Sequence, residues 1–278
     1  MKELLTTVSG NQLHPIGIGT WPMGSQQNEQ TREITANYEH DERDVAAITY
    51  SLQQGQNHID TAELYGAGHT EELVGQALAQ PDIVREDVFV TTKLWKEGVA
   101  PENVLPRVEA MLSRLNTDWI DLLYVHTTKY GTPWEEGLPV MDRLISEGLV
   151  RHIGASEFDL PQLRRAEQLV SHGVAALQLK YNVGDSSALS APLRRHCETR
   201  GTAVVAYSPL GKGEALTDPR VQAVAERHDA TPAQIALAWC IANNTLPIPM
   251  AIDRRHIDDN LGASAVNLSL HDRIQLAS

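Results

Sequence analysis

His14-Pro15-Ile16-Gly17-Ile18-Gly19-Thr20-Trp21-Pro22 is the stretch on which the arrangement of the whole chain turns. It reads as a strand over 14–20 that runs into a turn, the first of eight short apolar runs separated by longer stretches of helical spacing. The other strand candidates lie at 58–62, 88–93, 120–126, 150–156, 175–181, 203–208 and 246–250. Helical segments fall at 42–53, 69–78, 101–115, 136–147, 160–172, 188–200 and 219–242. The last of these has a break expected near 229–232, where Thr231-Pro-Ala-Gln carries a helix-start signal. Strands alternating with helices pair in parallel through right-handed crossovers. An open, doubly wound sheet that binds a dinucleotide follows its first strand with G-x-G-x-x-G. Gly17-Ile-Gly-Thr-Trp-Pro lacks that pattern. Eight units in 278 residues instead fit a closed (β/α)8 barrel, which typically takes ~250 residues as one domain. The chain 1–278 is expected to be that one domain.

Two flanking segments fit the same picture. Residues 4–8 and 12–15 surround Ser9-Gly10-Asn11, a turn that predicts an N-terminal β-hairpin plugging the barrel bottom. Residues 25–41 are polar, with three Gln and two Asn and no clear periodicity, and read as a long loop. Placed after a barrel strand, that loop is either a lid over the mouth or a disordered insertion.

Composition narrows the function classes. Hydrophobic residues make up 42% and charged residues 21%, ordinary for a globular chain with a sizeable core. A net charge of −13 argues against a nucleic-acid partner, which needs a basic face to neutralise phosphates. Cys197 and Cys240 match no metal-ligand spacing and read as two free thiols. No apolar run approaches the ~18 residues of a membrane span, and Met1-Lys-Glu-Leu-Leu-Thr-Thr-Val-Ser is no secretory signal. The expectation is a cytoplasmic protein, with no membrane partner, that is a monomer or weak oligomer.

In a barrel, reactive groups belong at the C-terminal ends of strands. Those ends carry Asp60 and Tyr65, Lys93, His126, Ser156, Gln178 and Tyr181, and Tyr207. Ionisable groups that end apolar runs, as in Phe89-Val-Thr-Thr-Lys93 and Leu122-Leu-Tyr-Val-His126, are rarely buried without a partner. A phenol is a weak acid–base group near neutrality unless its anion is stabilised, which an ammonium at Lys93 would do. Asp60 would supply the counter-ion to Lys93, and a neutral His126 would orient and polarise a carbonyl. Taken singly, each residue has a structural alternative: a core His, half of an ion pair, a packing Tyr. The ordered set is what points to proton transfer, with Tyr65 as the acid.

These residues resemble the aldo-keto reductase family over nearly the full length. The most specific piece is His58-Ile-Asp-Thr-Ala-Glu-Leu-Tyr-Gly66, followed by Glu71-Glu-Leu-Val-Gly-Gln-Ala-Leu78. Thr91-Thr-Lys-Leu-Trp95, Asp121-Leu-Leu-Tyr-Val-His126, Gly148-Leu-Val-Arg-His-Ile-Gly-Ala-Ser156 and Ala206-Tyr-Ser-Pro-Leu-Gly211 follow in order. The resemblance implies catalytic Asp60, Tyr65, Lys93 and His126, no metal, and a nicotinamide dinucleotide extended across the barrel mouth. Tyr207 would stack on the nicotinamide, Ser156 and Gln178 would bind its carboxamide, and Gly19 and Thr20 would meet the ribose. Ser208, Leu210, Gly211, Lys212 and Gly213 would hold the pyrophosphate, and Trp21 and Trp95 would wall the substrate pocket. The absence of a long tail after Ser278 implies an open pocket for a small carbonyl or alcohol substrate.

Two departures from the family pattern stand out. Glu157 replaces the Asn that usually follows the strand-five Ser and cannot donate its amide hydrogen bond. The adenosine-phosphate segment reads Ile248-Pro-Met-Ala-Ile-Asp-Arg-Arg-His-Ile-Asp-Asp-Asn260. Against the family's Ile-Pro-Lys-Ser…Arg…Glu-Asn, Lys becomes Met250, Ser becomes Ala251 and Arg becomes His256, with Asp259 and Asn260 at the end. Arg254 and Arg255 remain as phosphate ligands, whereas Asp253 adds negative charge. NADP(H) is the expected cofactor, with NAD(H) use possible on this weakened site. The competing reading is a cofactor-binding regulatory barrel with little turnover, against which the complete Asp60, Tyr65, Lys93, His126 set argues. A metal-dependent hydrolase would need a His-x-His on the first strand, and Ile16-Gly-Ile-Gly-Thr20 has none.

Overall fold

The computed structural model describes residues 5–277, and in it the eight expected strands stand side by side in parallel. They are β1 (Ile18–Gly19), β2 (His58–Asp60), β3 (Phe89–Leu94), β4 (Ile120–Val125), β5 (Val150–Ser156), β6 (Ala176–Lys180), β7 (Ala203–Tyr207) and β8 (Thr245–Pro247). Each pairs with the next in sequence. The sheet returns on itself where Gly17 and Gly19 donate their N–H groups to the carbonyls of Pro247 and Pro249, at 2.9 and 3.0 Å. No N–H comes back from those prolines, so the seam is held in one direction only. This is why the first and last strands are shorter than their apolar runs.

Of the two glycines in the opening stretch, Gly19 serves that seam and Gly17 the contact with β2. A Cβ on Gly17 would lie 2.1 Å from the His58 imidazole, and one on Gly19 would lie 2.5 Å from the Ile248 carbonyl oxygen. They allow close approach of neighbouring strands, not of a phosphate.

Alternation along the strands builds two layers. Phe89, Leu122, Tyr124, Val205 and Leu246 fill the barrel interior, while Val90, Leu94, Leu123 and Val125 face the helices. On β3 the inner row Phe89, Thr91, Lys93 therefore rises from an apolar floor to a cation at the mouth. At the bottom, Leu5 and Leu13 insert beneath that floor. The expected hairpin is reduced to a single bridge, Thr6 to Gln12, around the turn Thr7–Asn11, and Leu4 lies outside the described residues.

The helices are α1 (Asp41–Gln53), α2 (His69–Leu78), α3 (Pro101–Leu115), α4 (Trp134–Ser146), α5 (Leu160–Leu169), α6 (Ala191–Arg200) and α7 (Glu214–Thr217). They continue with α8 (Pro219–His228), α9 (Pro232–Ala242), α10 (Arg254–Gly262) and α11 (Leu270–Ala277). The expected break in 219–242 is real. Asp229 turns left-handed after α8, and Thr231 starts α9 through a reciprocal capping box with Gln234. Among the described residues no helix is long and apolar enough to cross a membrane.

Residues 25–41 depart from the loop expected there. Ser25–Gln27 pairs antiparallel with Ile34–Ala36, and the Asn28 side chain accepts from the N–H groups of Gln30 and Thr31 to shape the turn. The hairpin is tied down where the Ser25 hydroxyl accepts from the Gly66 N–H, and Ile34 reaches the mouth. It is an ordered flap over the barrel opening.

Below the mouth, a buried carboxylate ties the barrel to its crossovers. Asp121, fully buried on β4, accepts from Arg85 at 2.8 Å, Arg151 at 2.7 Å and the Val90 N–H at 2.9 Å. Removing one member of such a network strands the others. Asp121→Ala is expected to lower unfolding free energy by about 3 kcal/mol, read as a shift of the urea midpoint followed by far-ultraviolet circular dichroism. A loss below about 1 kcal/mol, the range of an exposed pair, would contradict the assignment.

Candidate active site

The C-terminal ends of the strands open into one cleft of about 840 Å³, within the range of ligand pockets. At its base lies Lys93, with no solvent exposure. Its Nζ donates to the Asp60 carboxylate and, at 2.7 Å, to the Thr61 carbonyl, and it stands 3.5 Å from the Tyr65 phenol oxygen. The second Asp60 oxygen accepts from Gln178 Nε2 at 2.6 Å. One carboxylate thus couples the lysine of β3 to the glutamine of β6 across the barrel.

Tyr65 leaves β2 through a short turn. Its N–H bonds to the Ala62 carbonyl at 3.0 Å, and Gly66, Ala67 and Gly68 follow with positive φ, turning the chain into α2. The ring packs against Trp21, 5.1 Å between centroids, and against His126 at 5.9 Å. Trp95 meets the other side of His126 at 5.0 Å. Glu63 steadies that wall by accepting from the Trp95 N–H at 2.6 Å.

Burial sets the protonation states. It pushes the Tyr65 phenol above the ordinary tyrosine value, and the field of Lys93 offsets only part of that rise. The sequence had pointed to a phenol eased toward its anion by Lys93; desolvation prevails instead. Burial alone would push the Lys93 ammonium down, but Asp60 and Tyr65 raise it above the usual lysine value. Burial and then the charge of Lys93 hold His126 well below the usual histidine value, so its ring is neutral. Its Nδ1 is buried without a hydrogen-bond partner.

Most residues expected from the sequence converge here. Gly19, Thr20, Trp21, Asp60, Tyr65, Trp95, His126, Ser156, Glu157, Gln178, Tyr207, Ser208, Leu210, Lys212 and Met250 all line the cleft. Lys93 sits behind Asp60, and Gly211 lies in the 3-10 turn Gly211–Gly213 beside the lining. The adenosine-phosphate candidates are set apart. Arg254, Arg255 and His256 are exposed on the first turn of α10, Ala251 precedes it half-buried, and Asn260 is buried farther along. Asp259 accepts from the Thr231 hydroxyl at 2.9 Å, and the Arg254 guanidinium lies 4.7 Å from the Tyr50 ring centroid. Asp253 caps α10 by accepting from the Arg255 N–H at 2.8 Å.

Glu157 takes up contacts that the sequence did not suggest. It accepts from the Tyr207 hydroxyl at 2.5 Å and from Lys129 Nζ at 2.8 Å, a residue of the loop after β4. Burial raises its carboxyl, but the bonds from Lys129 and Tyr207 outweigh it and hold it below the usual glutamate value. Burial and the Glu157 hydrogen bond push the Tyr207 phenol well up. Glu157 also has φ +63, in the left-handed region where Asn is more at ease than Glu. Lys129, Tyr130, Ile34 and Leu64 line the cleft too. Reading the ends of the barrel strands passes over them, because Ile34 is on the flap hairpin and the others are in loops.

A cleft that runs from a buried Lys–Asp–Tyr contact to a glycine-flanked lysine on the 3-10 turn suits an extended anionic cofactor. Gly213 has φ +98 and open space where a Cβ would stand, leaving its backbone approachable.

Comparison with known proteins places the whole chain in one family. The sequence profile described as the aldo/keto reductase family matches residues 15–275. The methylglyoxal reductase YeaE of Escherichia coli K12 is 31% identical over 277 residues, covering 97% of this chain and 92% of its own. A thermostable aldo-keto reductase, Tm1743, solved with the inhibitor epalrestat, superposes with a TM-score of 0.88 at 35% identity, covering 98% of this chain and 97% of its own. An aldo/keto reductase from Klebsiella pneumoniae in complex with NADP and acetate superposes at 0.84 with 27% identity, covering 99% and 94%. With the profile spanning almost the whole chain and the barrel shared throughout, this chain belongs to the aldo/keto reductase family.

Proposed function

We propose that this reductase converts small aldehydes and ketones to alcohols, with Tyr65 as the proton donor. The observation that carries the reading is the contact of a fully buried Lys93 ammonium with both Asp60 and Tyr65 beside a neutral His126. A nicotinamide cofactor, when bound, supplies the hydride. His126 donates a hydrogen bond that orients the substrate oxygen, and Tyr65 gives that oxygen its proton. Lys93 stabilises the phenolate left behind, and Asp60 keeps the ammonium charged and in place. Tyr207, Ser156 and Gln178 are the residues that would hold the nicotinamide, and Lys212 with its flanking glycines the pyrophosphate.

The same reading extends to cofactor choice. Asp253 places a carboxylate at the amino terminus of α10, where an anion is otherwise welcome. That charge, together with Met250 and Ala251, weakens selection for a 2′-phosphate, so we infer use of NADH alongside NADPH. The kcat/KM ratio of NADPH to NADH measures it, and a preference above about a thousandfold, roughly 4 kcal/mol, would overturn the inference. Asp253→Asn keeps the helix cap while removing the charge. It is expected to raise that ratio about fivefold, the effect of one helix-end charge of ~1 kcal/mol.

Tyr65→Phe is expected to lower kcat by about a hundredfold or more, the range of a lost general acid. Cofactor affinity, read by fluorescence quenching, should stay near that of the native protein. Retention of most of kcat on a substrate with a slow chemical step would remove Tyr65 from the role.

The pH profile follows from the directions of the shifts. Reduction needs the protonated phenol, and a raised Tyr65 keeps that form to high pH. Reductive kcat/KM should therefore stay level through neutrality and fall only above about pH 10, the ordinary tyrosine value. Alcohol oxidation needs the phenolate and should rise over the same range. Because His126 is held neutral, no inflection is expected near its ordinary value of about 6.5. A descending limb centred at or below about pH 8 would contradict the protonation state assigned to Tyr65.

A further inference from the structure

The chain has six lysines, and all five within the described residues sit at the barrel mouth. Lys93 is in β3, Lys96 just beyond it, Lys129 beyond β4, Lys180 at the end of β6 and Lys212 beyond β7. The framework ion pairs use arginine instead, as at Arg85, Arg114 and Arg151. That division suits the two side chains, since arginine makes fixed forks and lysine a mobile point charge. In a protein of net charge −13, it places the lysines around the mouth of the cleft.

Three of the five lysines are matched by carboxylates: Lys93 by Asp60, Lys129 by Glu157 and Lys180 by Asp185. Lys212 belongs to the turn assigned above to the pyrophosphate. Lys96 is left, with no carboxylate partner among the described residues. Its ammonium lies 5.4 Å from the centroid of Trp95 and 5.0 Å from that of Tyr130, two rings that line the cleft. Trp95 in turn touches His126, so the same indole contacts both this cation and the imidazole. Lys96 has φ +33 and Tyr130 φ +64, a backbone region that such side chains avoid and that recurs where the surrounding structure fixes a functional group. The two aromatic faces hold the ammonium without neutralising it.

We propose that Lys96, which does not itself line the cleft but rests on the lining rings of Trp95 and Tyr130, forms an anion subsite at its rim, so that the preferred carbonyl substrates carry a carboxylate. This rests on the carbonyl-reductase reading above. A carbonyl oxygen at His126 and a carboxylate at Lys96 would both lie beside Trp95, a span suited to a two-methylene or benzene spacer.

Matched pairs of substrates test it: succinic semialdehyde against butanal, and para-carboxybenzaldehyde against para-methylbenzaldehyde, with NADPH and with NADH. In the native enzyme at low ionic strength, the kcat/KM ratio of acid to neutral partner should exceed one, and it should fall as salt screens the charge. Lys96→Met should lower that ratio about fivefold, through KM rather than kcat, as expected for one partly exposed ion pair. A native ratio at or below one, or a Lys96→Met ratio within about twofold of native, overturns the subsite. The salt series on native enzyme reads the same charge without relying on the variant. If the neutral aldehydes are reduced and Tyr65→Phe abolishes it while the ratio fails, only the subsite falls. If native enzyme reduces neither member of either pair, the reductase reading and the subsite fall together.

Discussion

An ammonium with no solvent exposure has to be met by charge and by oxygen, or it would lose its proton. Lys93 meets that demand with Asp60, the Thr61 carbonyl and the Tyr65 hydroxyl, all supplied within six residues of one another at the end of β2. Asp60 is itself fixed from the far side by Gln178 of β6, and its carbonyl accepts from the Thr20 hydroxyl near β1. Three strands are thus held to one charge. Behind β3, Thr92 and Arg114 both bond to the buried Glu71, locking α2 and α3 against the strand that carries Lys93. The site is a consequence of closing the barrel as much as of the residues that line it.

Closure itself depends on what two strands lack. Gly19 has no Cβ to strike the Ile248 carbonyl, and Pro247 and Pro249 have no N–H to offer in return. The seam is therefore close but lightly bonded, and the mouth beside it stays free of side chains at Gly19, where the cleft begins. Glycines after a first strand are easily read as a nucleotide signature. Here the missing third glycine already separated the two uses, and the Cβ distances give the physical reason.

Patterns that are local in sequence were legible in it. Short apolar runs ending in Lys93 and His126 marked the strands, and Thr231-Pro-Ala-Gln marked the start of α9. What depends on tertiary contact was not legible. The flap over 25–41 has little apolar alternation because its strands bury only one edge of the mouth, and Asn28 shapes its turn by side-chain bonds. Helix α10 places only Ile257 and Asn260 inward, too few for a clear stripe, and its segment had been read only as a phosphate strip. The partners of Glu157 lie 28 residues before it and 50 after it, so no spacing rule could pair them.

Glu157 also shows how a departure from the family pattern can be absorbed. An Asn at that position would suit the left-handed backbone and offer an amide to a ligand. A carboxylate there must instead find donors, and it finds them in Tyr207 at the end of β7 and Lys129 in the loop after β4. The same residue that loses an amide bond thereby joins the two walls of the cleft. It also neutralises Lys129, which would otherwise compete with Lys96 for an anion at the mouth. Among the described residues the lysine left without a carboxylate near that wall is then Lys96, whose ammonium rests on an indole that also contacts the group proposed to orient the carbonyl.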